Sequence, residues 1–453
     1  MRRGSTASAP PDRGCAVGHT LAQLRTGELA GLRRLDLGCG LTEFPREIFE
    51  LSDSLEVLNL SGNALDRLPD DIARLHRLRV LFCSDNQFTA LPASLGACPA
   101  LEMIGFKANR IRTVPAAALP DRLRWLILTD NAIDTLPAGW GRFTRLQKLM
   151  LAGNRLRALP DDLAGCHQLE LLRIAANRFE SLPDWLLQMP RLAWLACAGN
   201  PFSDANEAAA LSAQTVPRID WPQLRLQQRL GEGASGVIHQ ALWQRGPGAG
   251  EPVAVKLFKG AVTSDGLPHS EMAACMAAGA HPGLIPVHGR VAGHPQGTDG
   301  LALALVPPNY RNLAGPPSLD SCTRDIYADD AGWPLPAALA VARRIASAAR
   351  QLHARGILHG DLYAHNILHD GRGQALLGDF GAASFVGLGP QAAALERIEA
   401  RAFGCLLEEL LDRCTGADPG ALAPWLALQQ RCLGEEVALR PDLEAIEAAL
   451  AAG

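Results

Sequence analysis

Lysine and aromatic residues are scarce in this sequence. Only four of its 43 Lys and Arg residues are lysines, and Phe, Trp and Tyr together make up 5% of the chain. The formal charge of −4 leaves no excess of positive charge. We therefore expect neither nucleic acid nor an anionic membrane surface as a partner. Because lysine is so rare, each lysine position is a candidate for a specific role, although codon usage alone could produce the imbalance.

Long apolar runs are also absent. No stretch approaches the roughly 20 apolar residues that cross a bilayer, and the N-terminal residues lack the apolar core of a signal peptide. The 11 cysteines include no CxxC pair and no His-rich partner segment, which argues against a disulfide framework and a zinc site. We therefore expect a soluble, cytoplasmic protein with reduced thiols and no membrane contact.

The N-terminal half is built from repeats. A chain of 453 residues is long enough for two or three domains. Successive units begin at a leucine 22 or 23 residues apart, at Leu32, Leu55, Leu78, Leu101, Leu123, Leu146, Leu169 and Leu192. The ninth position of the unit is Asn in all units except the first, where it is Gly40. A pattern that recurs eight times in register is highly specific.

This LxxLxLxxN pattern resembles the leucine-rich repeat. The resemblance implies an α/β solenoid, in which short strands turn their leucines inward and stack coil on coil. We place an N-terminal segment and cap at residues 1–31 and the solenoid at residues 32–202. Residues 203–221 shift to Ala, Ser, Asp, Gln and Pro, which is typical of a linker that could be partly helical.

One face of this solenoid is a candidate binding surface. The third and fifth residues of each unit point out of the strand on the concave side. The apolar members of this row are Val57, Val80, Phe82, Met103, Trp125, Met150 and Trp194, and Lys148 and Arg173 add a basic spot. An exposed apolar row favours a protein ligand. The alternative is that the row packs against the C-terminal half of the same chain.

A glycine-rich motif begins the C-terminal half. Residues 231–237 read Gly-Glu-Gly-Ala-Ser-Gly-Val after an apolar strand, and Lys256 follows in a second strand pattern, Val-Ala-Val-Lys. Glycines at this spacing are a weak signal alone, since an ordinary hairpin would also have them. With the lysine strand they resemble the protein-kinase fingerprint. The resemblance implies that Gly231, Gly233, Gly236 and Val237 close over ATP and that Lys256 binds its α- and β-phosphates.

Glu271 opens the Ala-rich stretch that follows the lysine strand. A kinase needs a helix glutamate to hold its strand lysine, so the resemblance implies an ion pair between Glu271 and Lys256. The alternative is a solvated glutamate, favoured near a helix start by the helix dipole.

The most specific segment of the chain is residues 357–368, Ile-Leu-His-Gly-Asp-Leu-Tyr-Ala-His-Asn-Ile-Leu. It resembles the kinase catalytic loop H-x-D-x-x-x-x-N, and Asp379-Phe380-Gly381 follows at the spacing of the DFG motif. The resemblance implies that Asp361 orients the substrate hydroxyl and accepts its proton. Asn366 and Asp379 would hold Mg²⁺ between the phosphate oxygens.

The catalytic loop departs from the kinase pattern at two positions. Gly360 replaces an Arg that normally pairs with a phosphorylated activation loop, so a switch of that kind is in doubt. Tyr363 stands where serine/threonine kinases generally have a Lys near the γ-phosphate. His365 could partly replace that charge if protonated, or could be a structural histidine.

The segment after Asp379 is short. It contains a single serine, Ser384, and no APE motif, so the platform for a peptide substrate is truncated. Glu399 stands where the next helix usually carries a buried Asp. Arg440 lacks its usual glutamate, which leaves Glu396 or Glu399 as candidate partners. The insertion at residues 322–327 has no explanation in the kinase pattern.

Three interpretations of the whole chain remain open. Taken together, the motifs resemble a leucine-rich-repeat-containing serine/threonine protein kinase, with an α+β two-lobed protein-kinase-like domain at residues 222–453, and the Arg- and Ala-rich composition indicates a bacterial source. This implies ATP and Mg²⁺ as cofactors and a protein substrate. The His-Gly-Asp triplet also resembles small-molecule phosphotransferases of the aminoglycoside and choline kinase type. A nucleotide-binding pseudokinase scaffold is the third interpretation, although Lys256, Asp361, Asn366 and Asp379 are all present.

Overall fold

The computed structural model describes residues 18–212, 216–233, 235–246, 248–260, 262–263 and 265–452. Residues 1–17 of the predicted N-terminal segment lie outside the described residues. The chain forms two compact units, Met1–Leu123 and Arg124–Gly453. This division falls inside the repeats, whereas the sequence places a boundary at 203–221.

In the described part of the first unit, residues 18–123, one short α-helix precedes four repeat strands that alternate with 3-10 turns. Helix α1 spans Leu21–Arg25, and its N-cap Thr20 forms a capping box with Gln23. The strands are β1 (Arg34–Asp36), β2 (Val57–Asn59), β3 (Val80–Phe82) and β4 (Met103–Gly105), and they pair in parallel. The central residue of each strand is fully buried because the repeat places one leucine or isoleucine there.

Asparagine side chains connect neighbouring coils. Asn63 donates from Nδ2 to the carbonyls of Leu37 and Leu60, which belong to successive coils. Asn86 likewise donates from Nδ2 to the Leu60 carbonyl, at 2.9 Å. These bonds satisfy carbonyl groups that the short strands leave unpaired, which explains why the repeat has Asn at its ninth position.

The second unit begins with four more parallel repeat strands, β5 (Trp125–Ile127), β6 (Lys148–Met150), β7 (Leu171–Arg173) and β8 (Trp194–Ala196). Helix α2, Pro201–Ser212, follows the last repeat, and strand β9, Arg218–Asp220, joins the next sheet. The segment predicted as a linker therefore contains regular structure on both sides of residues 213–215, which lie outside the described part of the chain.

A mixed sheet and one helix form the first lobe of the kinase-like part. Its strands are β10 (Leu224–Glu232), β11 (Gly236–Trp243), β12 (Glu251–Phe258), β13 (Val287–Ala292) and β14 (Gly300–Ala304), and helix α3 spans Pro268–Ala277. The sheet order is β10-β11-β12-β14-β13-β9, antiparallel except for the pair between β13 and β9. This order puts β12 in the interior of the sheet, so Lys256 stands on a rigid element.

The second lobe is mainly helical. Its helices are α4 (Leu335–His353), α5 (Pro390–Leu411), α6 (Pro419–Leu433) and α7 (Leu443–Ala452). Its short strands are β15 (Arg311–Asn312), β16 (Trp333–Pro334), β17 (Ile357–Leu358), β18 (Ile367–His369), β19 (Ala375–Leu377), β20 (Ser384–Phe385) and β21 (Cys414–Thr415). The fold class predicted from the sequence, a leucine-rich-repeat solenoid followed by a two-lobed kinase-like domain, is confirmed.

The last repeats share a hydrophobic core with the second lobe. Leu171 of β7 and Trp194 of β8 belong to the same buried cluster as Ile345, Leu352 and Phe403 of α4 and α5. Because apolar side chains of both regions bury each other, the repeats from residue 124 onward and the kinase-like part form one compact unit.

The predicted apolar row is less exposed than expected. Val80 and Met103 in the first unit are buried, as is Trp194 in the second. The prediction of an exposed binding residue is therefore wrong for these three side chains. Lys148 and Arg173 are buried as well, so they form no exposed basic spot. The remaining members, Val57, Phe82, Trp125 and Met150, are partly buried.

Within the described residues, no helix combines the length and apolar character that a membrane crossing requires.

Candidate nucleotide and phosphotransfer site

The glycine-rich motif forms the turn between β10 and β11. The Gly233 N–H donates to the Gly236 carbonyl at 2.9 Å, and both residues line a cavity between the two lobes. A Cβ at Gly236 would lie 2.6 Å from the Leu257 carbonyl oxygen, so a larger residue does not fit there. A Cβ at Gly231 or Gly233 would have open space, which leaves their backbone accessible.

The apolar residue that follows this turn was misassigned from the sequence. Ile238 lines the cavity, whereas Val237 does not. Side chains on a strand alternate between its faces, so two neighbours on β11 cannot both face the cavity.

Lys256 and Glu271 form the ion pair that the sequence predicts. Lys256 Nζ on β12 contacts Glu271 Oε1 on α3, and both residues line the cavity. Burial disfavours the charged lysine, but the carboxylates of Glu271 and Asp379 together outweigh burial and raise the pKa of Lys256. Lys256 therefore stays charged, as binding to phosphates requires.

The rest of the cavity wall separates into an apolar and a polar part. Ile238, Leu303 and Leu377 contribute apolar surface. Lys256, Asp379 and the Gly233–Gly236 backbone contribute polar groups. This combination suits a ligand with an aromatic base at one end and phosphates at the other.

The catalytic loop brings Asp361 and Asn366 together. Asn366 donates from Nδ2 to the backbone carbonyl and to Oδ2 of Asp361, both at 2.9 Å. Burial alone would raise the pKa of Asp361, but the charge of Arg173, the nearby histidines and the hydrogen bond from Asn366 together outweigh burial and lower that pKa. Asp361 is therefore a carboxylate at neutral pH, the form that can accept a proton.

Glu399 of α5 holds the start of this loop. It accepts hydrogen bonds from the backbone N–H groups of Gly360 at 2.6 Å and His359 at 3.1 Å. His353 Nε2 lies 2.7 Å from Oε2 of the same carboxylate. Glu399 is thus a buried carboxylate at the position where the kinase pattern usually has a buried Asp.

Asp379 lines the cavity. Its φ of +50° is unusual for a residue other than glycine, and its Oδ1 accepts a hydrogen bond from the Gly381 N–H at 3.1 Å. The Gly378 N–H donates to the Asn366 carbonyl, which joins the two predicted metal-ligand segments. In the described residues, no group of three or more His, Cys, Asp and Glu could hold a metal alone. A metal at Asn366 and Asp379 would need phosphate oxygens to complete its coordination.

The sequence missed a repeat side chain in this site. Arg173, on β7, donates from Nε to Asp265 at 2.8 Å and from Nη1 to the Gly360 carbonyl at 3.0 Å, and its Nη2 contacts Asp361. The available signal was that Arg173 belongs to the concave row, for which packing against the C-terminal half was one alternative. That alternative is the one found for β7 and β8.

Trp194 makes the second contact between the repeats and the catalytic loop. Its ring stacks on that of Tyr363, with the centroids 4.2 Å apart and the planes 7° from parallel. Its Nε1 donates to the Leu362 carbonyl at 3.1 Å. Tyr363, which replaces the expected lysine, therefore serves as a stacking partner for a repeat.

Contacts with the last repeat also explain two further departures from the kinase pattern, which are Gly360 and the short segment that contains Ser384. Gly360 has a φ of +73°, and a Cβ there would lie 2.5 Å from the Ala382 carbonyl oxygen and 2.6 Å from that of Leu195. Ser384 is fully buried, and its Oγ accepts a hydrogen bond from the Cys197 N–H at 2.9 Å. Residues of the last repeat thus occupy the space that a side chain at 360 and a mobile activation segment would need.

The unexplained insertion packs beneath the catalytic loop. Asp325 accepts hydrogen bonds from the His365 backbone N–H at 2.8 Å and lies 2.7 Å from its Nδ1. Burial alone would lower the pKa of His365, but the bond to Asp325 raises it. This favours the charged form of His365. Arg324 of the same insertion pairs with Glu408 and Glu409 of α5.

Arg440 has neither of the carboxylate partners proposed from the sequence. Its guanidinium donates to the carbonyls of Gly434, Arg397 and Pro190. Burial among these neutral acceptors lowers the pKa of Arg440 to about 10. Glu399 is unavailable to it because the catalytic loop already uses that carboxylate.

Comparison with protein families agrees with this geometry. Residues 224–394 match the family model described as protein tyrosine and serine/threonine kinase, and residues 30–88 and 121–179 match the leucine-rich-repeat model. The chain carries leucine-rich repeats and a protein kinase domain. Such a domain implies the use of ATP and a divalent metal. The cavity fits this use, since its apolar wall suits a base, Lys256 suits phosphates, and Asp379 offers carboxylate oxygens to a metal. Asn366, whose carbonyl accepts a hydrogen bond from the Gly378 N–H, lies next to this wall and could add an amide oxygen.

Individual relatives match parts of the chain. It is 34% identical over 131 residues to a transforming growth factor beta activator of Mus musculus, covering 27% of this chain and 20% of that protein. It is 31% identical over 156 residues to a cyclin-dependent kinase F-2 of Oryza sativa, covering 34% and 45%. It is 30% identical over 102 residues to roco10 of Dictyostelium discoideum, named an inactive serine/threonine-protein kinase, covering 21% and 4%.

A solved leucine-rich-repeat protein of Leptospira interrogans is 27% identical, with a TM-score of 0.34, and the match covers 39% of this chain and 51% of that one. The chain thus spans about half or less of each of these similar proteins.

Proposed function

We propose that this chain transfers the γ-phosphoryl group of ATP to Ser or Thr hydroxyls of a protein. The observation that carries the proposal is the Lys256–Glu271 ion pair at a cavity that also contains the glycine turn and Asp379. In kinases this pair must be formed before phosphates are held for transfer. In this chain the pair is formed.

In this proposal the residues of the site divide the tasks of phosphotransfer among them. Bound ATP supplies the phosphoryl group, and a divalent cation such as Mg²⁺ screens its charge. The backbone of the glycine turn and Lys256 hold the phosphates, while Asn366 and Asp379 hold the metal. Asp361 orients the acceptor hydroxyl. The oxygen of the acceptor hydroxyl forms a bond to the γ-phosphorus as the bond from that phosphorus to the bridging oxygen of ADP breaks. The hydroxyl proton passes to Asp361.

The first-unit repeats are the proposed protein-interaction module. Val57 and Phe82 are the members of the apolar row there that stay partly exposed, so a protein ligand has less surface than the sequence predicted. The repeats of the second unit have a different task, since β7 and β8 contact the catalytic loop.

A second candidate function is phosphotransfer to a small molecule. Trp194 covers Tyr363, and the Asp361 side chain is 16% exposed. A folded protein or a peptide reaches such a carboxylate less easily than a small alcohol. The truncated segment after Asp379 favours the same alternative, whereas the repeats favour a macromolecular substrate.

Radiolabel transfer from ATP with Mg²⁺ tests the proposal. Acceptors are the protein itself, a generic basic protein and a panel of small alcohols and aminoglycosides. The wild type should label polypeptide, and Asp361→Asn and Lys256→Met should each lower the rate by at least about a hundredfold. Arg157→Ala, at an exposed repeat position, is the matched control. Label on small molecules alone would support the second candidate, and nucleotide binding without transfer would support a pseudokinase.

A further inference from the structure

The catalytic loop has no lysine or arginine of its own. Residues 359–369 contain histidines and Asp361 but no permanently charged cation. The transfer of a phosphoryl group develops negative charge on oxygens that cations must stabilise. The guanidinium that contacts Asp361 comes instead from repeat strand β7, as Arg173.

Arg173 lies between the two ends of the proposed reaction. Its Nε binds Asp265, which lines the nucleotide cavity, and its Nη2 contacts Asp361, the proposed acceptor of the hydroxyl proton. Arg173 therefore contacts both a residue of the nucleotide cavity and the residue that orients the acceptor hydroxyl in the proposed function. Arg173 is 1% exposed, so its charge acts in a region shielded from water.

Arg173 has the capacity to bind an additional anion. A guanidinium has five N–H groups, and the contacts to Asp265, Gly360 and Asp361 among the described residues use three of them. One N–H on each terminal nitrogen is left for a further acceptor. The planar fork of these groups matches the spacing of two phosphoryl oxygens.

The contact between the last repeats and the catalytic loop is part of the folded core and is not easily reversed. Trp194, on the strand that pairs with the strand of Arg173, stacks on Tyr363 inside the core that the repeats share with α4 and α5. Residue 360 also fits there only as glycine, because a Cβ would lie 2.6 Å from the Leu195 carbonyl oxygen. Separation would expose this core and leave Asp361 and Asp265 without their cation, which makes a reversible inhibitory role costly.

We propose that Arg173 is a catalytic residue supplied by the repeats, which donates hydrogen bonds from its free terminal N–H groups to the phosphoryl group during transfer. This inference rests on the proposed phosphotransfer function and adds a residue to it. The repeats of the second unit then complete the active site, in addition to any partner that the first-unit repeats bind.

Calorimetry with a mimic of the transferring group tests this without turnover. Wild type, Arg173→Ala, Arg173→Lys and the control Arg157→Ala are titrated with Mg²⁺ and ADP, with and without fluoroaluminate. We expect fluoroaluminate to tighten ADP binding to the wild type and to the control. In Arg173→Ala the factor by which fluoroaluminate tightens ADP binding should be at least about tenfold smaller than in the wild type. The affinity of this variant for ADP alone should stay within about threefold of the wild-type value. Arg173→Lys, which keeps the charge but not the fork, should retain part of the gain.

The outcomes separate this inference from the proposed function. No nucleotide binding by the wild type would refute the proposed function itself. An equal fluoroaluminate gain in wild type and Arg173→Ala would refute only the role of Arg173. In the transfer assay Arg173→Ala should lower kcat about a hundredfold with little change in KM for ATP. A rise in kcat would overturn the inference and show an inhibitory contact. If Arg173→Ala does not fold, Arg173→Lys is the test variant. If fluoroaluminate tightens ADP binding to Arg173→Lys as much as to the wild type, the inference is contradicted.

Discussion

The repeats of the two units obey the same sequence rule but have different outward faces. Every strand from β1 to β8 buries its central leucine or isoleucine, with at most 2% of the residue exposed. On the outward face of the first unit, Arg34 and Asp36 form a partly exposed ion pair. In the second unit the outward residues Arg173 and Trp194 are buried against the catalytic loop. A repeat pattern thus specifies the inward face of each coil and leaves the outward face available for any role.

Trp194→Ala is the change that should distinguish the two units most strongly. It removes a stacked ring and a hydrogen bond to Leu362 from a core with little room to collapse. We expect a loss of about 4 kcal/mol in the free energy of unfolding. The matched change in the first unit, Phe82→Ala, removes a partly exposed ring and should cost about 1 kcal/mol.

Urea denaturation followed by circular dichroism measures both losses. Equal losses for the two variants would contradict a difference between the outward faces of β3 and β8.

Gly360→Ala should have the next largest effect. The added methyl group would lie 2.5 Å and 2.6 Å from two backbone oxygens, and the φ of +73° strains any side chain. We expect a loss of about 3 kcal/mol together with a fall in phosphotransfer, because Asp361 is the next residue. Gly62→Ala is the control in the first unit, since its φ is +74° and its Cβ would meet no atom within 4 Å.

The control variant should lose only about 1 kcal/mol, from backbone strain alone. Thermal and urea unfolding of both variants, with transfer assays alongside, checks the prediction. A fully active and stable Gly360→Ala would show that the last repeat does not lie against the catalytic loop in solution.

Periodic patterns and ordered motifs account for what the sequence predicted correctly. The repeat leucines define the strands because burial on one face requires regular spacing, and the order of kinase motifs predicts the contact between Lys256 and Glu271. The contact between Arg173 and Asp361 joins residues 188 positions apart, and no local pattern links them. The sequence assigns Val237 to the nucleotide, whereas Ile238 lines the cavity, because the motif alone does not show which side of a strand faces a cavity. The burial of Val80 and Met103 was likewise not evident from their positions in the row.

Asp36→Asn should have the smallest effect, because the Arg34–Asp36 pair of the first unit is partly exposed. The bond to Arg34 outweighs the opposing effect of burial and lowers the pKa of Asp36, and Asn59 donates a further hydrogen bond at 3.0 Å. A lowered pKa in the folded state adds stability above the pKa of the unfolded chain, and this stability is lost as the pH falls through the folded value. After allowance for solvent screening, Asp36→Asn should cost about 0.5 kcal/mol at pH 7 and less than that at pH 3. Urea unfolding of wild type and variant at both pH values measures this. A cost of several kcal/mol, or a cost that is undiminished at pH 3, would mean that Asp36 acts through buried contacts, as Arg173 does in the second unit.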